Sequence, residues 1–195
     1  MTRGRVEAFS DGVIAIIITI MVLEMKVPHG TEMGALRPVW PVFLSYILSF
    51  IYLGIYWSNH HHLFQAVHHV SGWILWANLH LLFWLSLIPF VTGWMGENHF
   101  ARAPVALYGV VLLCAAIAYY ILTRALLARH GHDSPIAQAL RSEFKERISI
   151  VLYIAAIALA AFNARAACAL YVVVAILWLV PDRRIEKTLA EQSSE

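Results

Sequence analysis

Two acidic residues, Asp11 and Glu24, lie within or at the end of a long apolar run near the N terminus, and the later apolar runs contain none. An ionised side chain inside a membrane costs about 2.5 to 3.5 kcal/mol on insertion scales, so it usually serves an ion pathway or a buried pairing. Proton pumps, intramembrane proteases and multi-carboxylate metal transporters need several polar groups at membrane depth. Two carboxylates argue against those classes, but they are compatible with a pore lined by apolar side chains.

A histidine-rich stretch is the other group of residues that could do chemistry. Imidazole binds zinc, but adjacent residues of a helix point about 100° apart and do not easily share one ion. We therefore predict interfacial side chains and no metal site, with metal binding and pH sensing as less favoured alternatives. The stretch comprises His60, His61, His62, His68 and His69.

The sequence does not predict an enzyme. No nucleophile with an adjacent base, pair of carboxylates or cofactor motif occurs in it. It also has no basic tract or nucleic-acid-binding motif, so we expect no nucleic-acid partner and no cofactor.

The elements that carry these residues are apolar helices. Hydrophobic residues make up 61% of the 195 residues and charged residues 13%, against roughly 45–50% and about 25% in soluble domains. Because a helix needs about 20 apolar residues to span a bilayer, we predict an all-α integral membrane protein with one domain, 1–195, and six transmembrane helices. The helices are expected at about 6–25, 39–62, 70–94, 105–128, 145–163 and 166–181, followed by a cytoplasmic tail at 182–195.

The distribution of Lys and Arg predicts the orientation of these helices. Basic residues concentrate in cytoplasmic loops, so we expect both termini in the cytoplasm of a multi-pass protein of the plasma membrane. One side would carry Arg3, Arg5, Arg124, Arg129, Arg141, Lys145, Arg147, Arg183, Arg184 and Lys187, and the other only Lys26, Arg37, Arg102 and Arg165.

The first helix carries a stripe of residues at positions i, i+3, i+4 and i+7, namely Ile16, Thr19, Ile20 and Leu23. Asp11 lies about 140° from Ile16 on a helical wheel, so it should face neighbouring helices and not the stripe. On spacing alone, a lipid-facing or helix-packing surface is the commoner explanation of such a stripe.

The N-terminal half of the chain resembles the transmembrane protein 175 family of potassium channels in its bacterial form. Its signature, Arg-x-x-x-Phe-Ser-Asp, is present here as Arg5-Val6-Glu7-Ala8-Phe9-Ser10-Asp11. Trp57-x-x-His60, Asn78 and Ile88-Pro89-Phe90 follow in the order expected of the family's second and third helices. The resemblance is specific over residues 1–95 and extends only to hydropathy beyond them.

The resemblance implies a homotetramer in which four copies of the first helix line a potassium-permeable, modestly selective pore. Ile16 would form the narrowest layer, Thr19 a layer tied to potassium preference, and Ile20 and Leu23 further apolar layers. The sequence contains no Thr-Val-Gly-Tyr-Gly loop, so a ring of backbone carbonyls is not expected to select the ion.

The resemblance also implies a buried network that holds the first helix against helices two and three. Its members would be Arg5, Phe9, Ser10, Asp11, Trp57, His60 and Asn78. Separately, Glu24 lies about 40° from Ile20 on the wheel, so it could attract cations to the outer mouth. An interfacial pair of Glu24 with Lys26 or Arg37 is the alternative.

A secondary cation or proton-coupled transporter is the competing function. Such a protein would usually show an internal repeat, or Gly/Pro-broken helices at matching positions in its two halves. Gly54, Gly109 and Pro89 do not form such a pair. The expected partners are therefore further copies of the chain, the lipid bilayer and potassium ions.

Overall fold

The computed structural model describes residues 2–65, 70–130 and 143–179. The predicted tail at 182–195 lies outside these residues, as do His68 and His69. The described chain folds into α-helices and one short 3-10 helix, Met33–Val39. The helices are α1 Arg3–Leu23, α2 Trp40–Gln65, α3 Gly72–Ser86, α4 Ile88–Glu97, α5 Arg102–His130, α6 Glu143–Ala160 and α7 Ala164–Leu179.

Four segments within the described residues are long and apolar enough to cross a membrane: Arg3–Leu23, Met33–Gln65, Gly72–Glu97 and Arg102–Ala128. The apolar helix α7 has 16 residues and is shorter than the usual span of about 20. In α6, charged side chains fill most of the first turn, so its apolar part begins only near Ile148. The chain is thus an all-helical membrane protein with several apolar helices.

The sequence predicted one third helix at 70–94, whereas the structure has two helices there, α3 and α4, which meet at Leu87. Pro89 stands at the start of α4. Proline has no N–H to donate, and its ring clashes with the carbonyl four residues earlier. The α-helical ladder therefore ends at Ser86, and a new helix begins at Ile88.

The other predicted helices overlap the observed ones, with ends displaced by one to three residues, as is usual for boundaries read from sequence. For example, α1 begins at Arg3 where the sequence predicted residue 6. Helix α2 continues to Gln65 where residue 62 was expected.

Helix α5 is central, because it packs against α3, α4, α6 and α7, whereas α1 packs on α2, α3 and α4. Buried hydroxyl groups connect the helices. The Ser49 Oγ lies 2.6 Å from Thr92 Oγ1 and 3.0 Å from the Tyr108 hydroxyl, joining α2, α4 and α5. Tyr52 donates to the carbonyl of Tyr171, and the Tyr171 hydroxyl donates to that of Val105. In a membrane such polar contacts help to hold helices together, because lipid covers the apolar surface of a helix as well as another helix does.

Gly96 allows α2 and α4 to approach closely. A Cβ atom added at Gly96 would lie 2.6 Å from the Val42 Cα and 2.6 Å from the Ser45 Oγ. A backbone atom cannot move away as a flexible side chain can, so the crossing point requires a residue without a side chain.

Gly96→Ala is therefore expected to destabilise the protein by about 1 to 3 kcal/mol, the usual cost of forcing extra atoms into a packed site. The thermal unfolding midpoint of the detergent-solubilised protein should fall. Gly54→Ala is the matched control, because an added Cβ there meets no atom within 4 Å and alanine favours a helix. Equal midpoints for the two variants would contradict the packing role of Gly96.

Candidate functional site

Helix α1 has one face buried inside the subunit. This face consists of Val6, Ser10, Ile14, Ile17 and Met21, spaced three or four residues apart as one side of a helix requires. The apolar members pack into the core between α2, α3 and α4. The orientation of α1 is therefore fixed, which also fixes the side chains that point away from the subunit.

The opposite face of α1 carries the stripe identified in the sequence. Ile16 is 58% exposed, Ile20 41% and Leu23 80%, and Thr19 is exposed between them. Exposed isoleucines alone do not distinguish a lipid-facing surface from a pore-facing one. Thr19 is the polar member of the stripe, and Glu24, just past the end of α1, lines the same groove as Ile16 and Ile20. These polar groups favour a surface that meets water.

The Thr19 hydroxyl donates back to its own helix, with distances of 2.9 Å to the Ile16 carbonyl oxygen and 3.1 Å to that of Ala15. A hydroxyl has one hydrogen and two acceptor lone pairs. Because the hydrogen points towards the helix backbone, the oxygen presents lone pairs outwards. This geometry suits contact with a cation or with the water around it.

An open groove runs between the stripe face of α1 and the helix α4. Ile16, Ile20 and Glu24 line one side, and Phe90 and Trp94 line the other. The groove is apolar along most of its length, with acidic side chains at one end, where Glu97 of α4 also lines it.

At this acidic end, Lys26 forms an ion pair with Glu97 and not with Glu24. The Lys26 Nζ lies 2.9 Å from the Glu97 Oε1. The hydrogen bond and the negative charge of Glu97 raise the pKa of Lys26 above its ordinary value. Lys26 therefore joins the end of α1 to the end of α4, while Glu24 is exposed beside the groove.

Three buried polar residues connect α1 to α2 and α3. The Asn78 Nδ2 donates to the Ser10 Oγ over 2.9 Å, and the Asn78 Oδ1 lies 2.8 Å from the His60 Nε2. Ser10 donates in turn to the carbonyl of Val6. Ser10 and His60 are completely buried, and Asn78 is 2% exposed. This chain runs from α2 through α3 to the buried face of α1.

The orientation of these bonds defines the tautomer of His60. Because the Asn78 Oδ1 can only accept, the His60 Nε2 donates. The ring is neutral when its Nδ1 carries no hydrogen. Within the described residues, this buried Nδ1 has no hydrogen-bond partner. The His60 ring stacks on Phe64 with centroids 4.5 Å apart.

Asp11 accepts a hydrogen bond from a side chain of α2. The Trp57 Nε1 donates to the Asp11 Oδ1 over 3.0 Å, so Asp11 turns from the stripe and towards a neighbouring helix. Trp57 also stacks on His61, with centroids 6.2 Å apart and ring planes 20° apart.

The structure does not bring Arg5 and Phe9 into this network within one subunit. Both side chains are exposed, and Phe9 is 53% exposed. Each stands one residue before a buried position of α1, Val6 or Ser10, and so points about 100° away from the buried face. In the part of the chain that the structure describes, no hydrogen bond or ion pair joins the Arg5 side chain to the other motif residues.

A second set of contacts, absent from the predictions, fixes the N-terminal end of α1. The Glu7 Oε1 lies 2.9 Å from the His61 Nδ1, and the Glu7 Oε2 lies 3.7 Å from the Arg3 Nε. The Arg3 Nη1 donates to the carbonyl of Gln65 over 2.8 Å. The i,i+4 spacing of Arg3 and Glu7 was the available signal in the sequence.

The histidines of α2 have separate partners. His60 contacts Asn78 and His61 contacts Glu7, while the rings of His61 and His62 are 5.8 Å apart and tilted by 59°. The described residues contain no group of three His, Cys, Asp or Glu side chains that could hold a metal ion. His68 and His69 lie outside those residues.

Comparison with known proteins relates this architecture to one family. Residues 5–89 match the family model described as the endosomal/lysosomal potassium channel TMEM175. A potassium channel of Chryseobacterium sp. (strain P1-3) is 58% identical over 191 residues, which cover 98% of this chain and 100% of that protein. A potassium channel of Streptomyces collinus is 37% identical over 155 residues, covering 72% of this chain and 75% of that protein.

A solved structure agrees with the fold. The crystal structure of a lysosomal potassium-selective channel TMEM175 homolog from Chamaesiphon minutus has a TM-score of 0.75 and 31% sequence identity. The match covers 91% of this chain and 96% of that chain.

Proposed function

This chain belongs to the TMEM175 family of ion channels, and from that premise we propose that it is a potassium-permeable cation channel whose ion path is lined by α1. The observation that carries the pore assignment is the exposed face of α1 with Ile16, Thr19, Ile20 and Leu23. The names of the relatives from Chryseobacterium and Streptomyces support potassium as the ion.

The pore forms on an axis shared by four subunits. One subunit buries one side of α1 against its own helices and leaves the stripe uncovered, so the stripe can face a central path only in an oligomer. The groove between α1 and α4 gives each subunit an apolar surface beside the stripe. Four subunits with six membrane-crossing segments each are the assembly that the family resemblance favours.

Four Ile16 side chains make the narrowest layer. They offer no ligand to replace the hydration shell of an ion, so an ion passes with much of its water once the ring is wide enough to be wetted. Potassium is favoured modestly because it gives up water more easily than sodium. The outward lone pairs of Thr19 help the partly dehydrated ion in the layer beside Ile16.

The orientation in the membrane follows the distribution of basic residues. Both termini lie in the cytoplasm of a plasma-membrane protein, which places Glu24 and the Lys26–Glu97 pair at the outer mouth. Glu24 raises the local cation concentration there, and Lys26 is neutralised by Glu97.

The motif residues position α1 and do not touch the ion. Two buried bonds join Ser10, Asn78 and His60, and one exposed bond joins Asp11 to Trp57; together they connect α1 to α2 and α3. The loss of one partner from such a network leaves a buried polar group unsatisfied, which is costly in a membrane. Arg5 and Phe9, which are exposed in one subunit, contribute to this anchor through contacts made in the assembled channel.

The direct test is the potassium and sodium current of the purified protein in planar bilayers. A current that follows the electrochemical gradient of potassium supports the channel. Tightly coupled counter-transport with a fixed stoichiometry would support a transporter in its place.

Thr19→Ala is expected to reduce the preference for potassium over sodium severalfold, because it removes the only hydroxyl ring from the proposed pore stripe. The reversal potential under bi-ionic conditions measures this preference. Thr31→Ala, in an exposed loop, is the control and should retain the native reversal potential. An unchanged preference in Thr19→Ala would remove Thr19 from the selectivity mechanism.

A further inference from the structure

His80 is an exposed histidine within a membrane-crossing segment, and it has no part in the proposed ion path. Its Nε2 accepts a hydrogen bond from the Trp84 Nε1 over 3.0 Å, one turn further along α3. A neutral imidazole has one acceptor nitrogen and one N–H, so the hydrogen of His80 lies on Nδ1. Within the described residues this Nδ1–H has no acceptor.

The surface of α3 around His80 is apolar. Trp76 is 70% exposed and Phe83 is 55% exposed on the same side of the helix. His80 lies eight residues, or about 12 Å, from the start of α3 at Gly72. A polar donor at such a depth is costly if it meets only lipid tails. An acceptor on another protein surface would remove this cost.

Asp11 offers an acceptor that its own subunit does not use. The Trp57 Nε1 donates to the Asp11 Oδ1 in an exposed bond, and within the described residues the Oδ2 has no partner. Asp11 is half-buried, and its Oδ2 is not among the fully buried atoms that lack a partner. The Oδ2 can therefore be reached from outside the subunit. An ionised carboxylate inside a membrane is stabilised by further donors.

Asp11 and His80 lie at nearly the same depth. Helices α1 and α3 run in the same direction, because α2 is antiparallel to both. The bond between Ser10 and Asn78 gives the two helices a common level. From that level Asp11 is about 1.5 Å and His80 about 3 Å further along its helix. A symmetry axis perpendicular to the membrane keeps this depth the same in every copy.

The two groups also lie on different sides of the subunit. Asp11 faces α2, whereas His80 lies on the outer face of α3. In the part of the chain that the structure describes, no bond joins them within one subunit. A cyclic assembly brings different sides of adjacent copies into contact. The two sides are complementary in charge, because an N–H donor on one meets a carboxylate on the other.

We propose that the His80 Nδ1–H of each subunit donates to the Asp11 carboxylate of the adjacent subunit. The proposal rests on the tetramer of the proposed function and names one of its contacts. Asp11 then accepts from Trp57 within its subunit and from His80 across the interface, so both oxygens have donors. The outer face of α3 is thereby covered by the edge of the next subunit that α1 and α2 form.

Mixed subunits test the contact directly. With Cys114 and Cys168 replaced by alanine, one tagged chain carries His80→Cys and a second, differently tagged chain carries Asp11→Cys. A short bis-methanethiosulfonate reagent should join the two chains into a mixed covalent dimer. His29→Cys, in an exposed loop, replaces His80→Cys in the control and should give no such dimer. Absence of the mixed dimer from a co-assembled oligomer would overturn the proposal.

Variants of His80 decide the question if Asp11→Cys does not assemble. His80→Phe keeps a ring but has no donor, so it should weaken subunit association about tenfold or more. The measurement is the concentration of sodium dodecyl sulfate that dissociates half of the oligomer. His80→Gln retains an N–H donor and should recover most of the resistance to the detergent. Trp84→Phe removes only the bond within α3 and should be close to native.

Native resistance in His80→Phe contradicts the contact, as does an equal loss in Trp84→Phe. Ile16→Asn, in the proposed pore, should retain native resistance and the mixed dimer whatever happens to its current. A cross-linked oligomer that conducts no potassium would contradict the pore alone. A conducting native oligomer with neither the mixed dimer nor an effect of His80→Phe would contradict the contact alone, and a monomeric native chain would contradict both.

Discussion

Ile16→Asn is expected to raise the potassium current through the purified protein by about tenfold or more. In the proposed pore, four isoleucine side chains at the narrowest layer repel water, and an unwetted layer is a barrier to a hydrated ion. Asparagine is close to isoleucine in size but offers amide groups that hold water in the ring. A barrier lowered by about 1.4 kcal/mol increases the rate tenfold. Because the amide ring also accepts sodium with its water, the preference for potassium should fall in the same variant.

Ile154→Asn is the matched control for this experiment. It changes the same residue type at a similar exposure, since Ile154 on α6 is 54% exposed and Ile16 is 58% exposed. An asparagine on a surface remote from the ion path should leave both the single-channel current and the reversal potential at native values. Native currents in Ile16→Asn would contradict the assignment of α1 to the permeation path. Equal changes in the two variants would show that the effect is not specific to Ile16.

The helical wheel predicted correctly that Asp11 faces a neighbouring helix and not the stripe. Asp11 stood about 140° from Ile16 on the wheel, and in the structure it contacts Trp57 while Ile16 is exposed. A polar atom within an apolar helix needs a partner, so its position indicates which side faces the neighbouring helices.

The break at Leu87 was not predicted, although Pro89 is visible in the sequence. Hydropathy records only whether a stretch can lie in lipid, and 70–94 is mostly apolar on both sides of Leu87. Membrane helices tolerate proline when neighbouring groups satisfy the freed backbone. Whether proline bends a helix or ends it therefore depends on packing, which a single sequence does not encode locally.

The hydroxyl contacts among the helices were also invisible to the sequence analysis. Ser49 is 43 positions from Thr92 and 59 positions from Tyr108 in the chain. Each of the three lies in a run that hydropathy assigns to a membrane span. Helices that are apolar on all sides give no periodic signal for the side that faces the core. The pairing of these residues comes from the tertiary packing of α2, α4 and α5.

Family resemblance identified the motif residues but not which of them meet. Ser10, His60 and Asn78 are joined in the core, whereas Arg5 and Phe9 point away from it. A motif records what the whole assembly requires, including contacts between subunits. The contacts within one subunit therefore account for part of the motif, and Arg5 and Phe9 are the members left for the proposed subunit interface.

Asn78→Leu is expected to prevent recovery of the assembled channel. Leucine fills nearly the same volume, so the variant removes two hydrogen bonds without opening a large cavity. The His60 Nε2 then loses its acceptor and Ser10 loses a donor, both in the interior of the subunit. The buried His60 Nε2 left without a partner costs about 1 to 3 kcal/mol, Ser10 keeps only its bond to the Val6 carbonyl, and α1 loses its hydrogen bond to α3. Size-exclusion chromatography in detergent should show less oligomer and more aggregate than the native protein gives.

Asn98→Leu separates this effect from a general cost of losing asparagine. Asn98 is exposed at the end of α4, and within the described residues its Nδ2 donates to the Trp94 carbonyl of the same helix. Water replaces that bond when the amide is removed, so assembly should be close to native. If Asn78→Leu also assembled normally and conducted normally, the buried bonds would not be what holds α1 at the pore. The exposed motif residues Arg5 and Phe9 would then have to supply the anchor from the subunit interface.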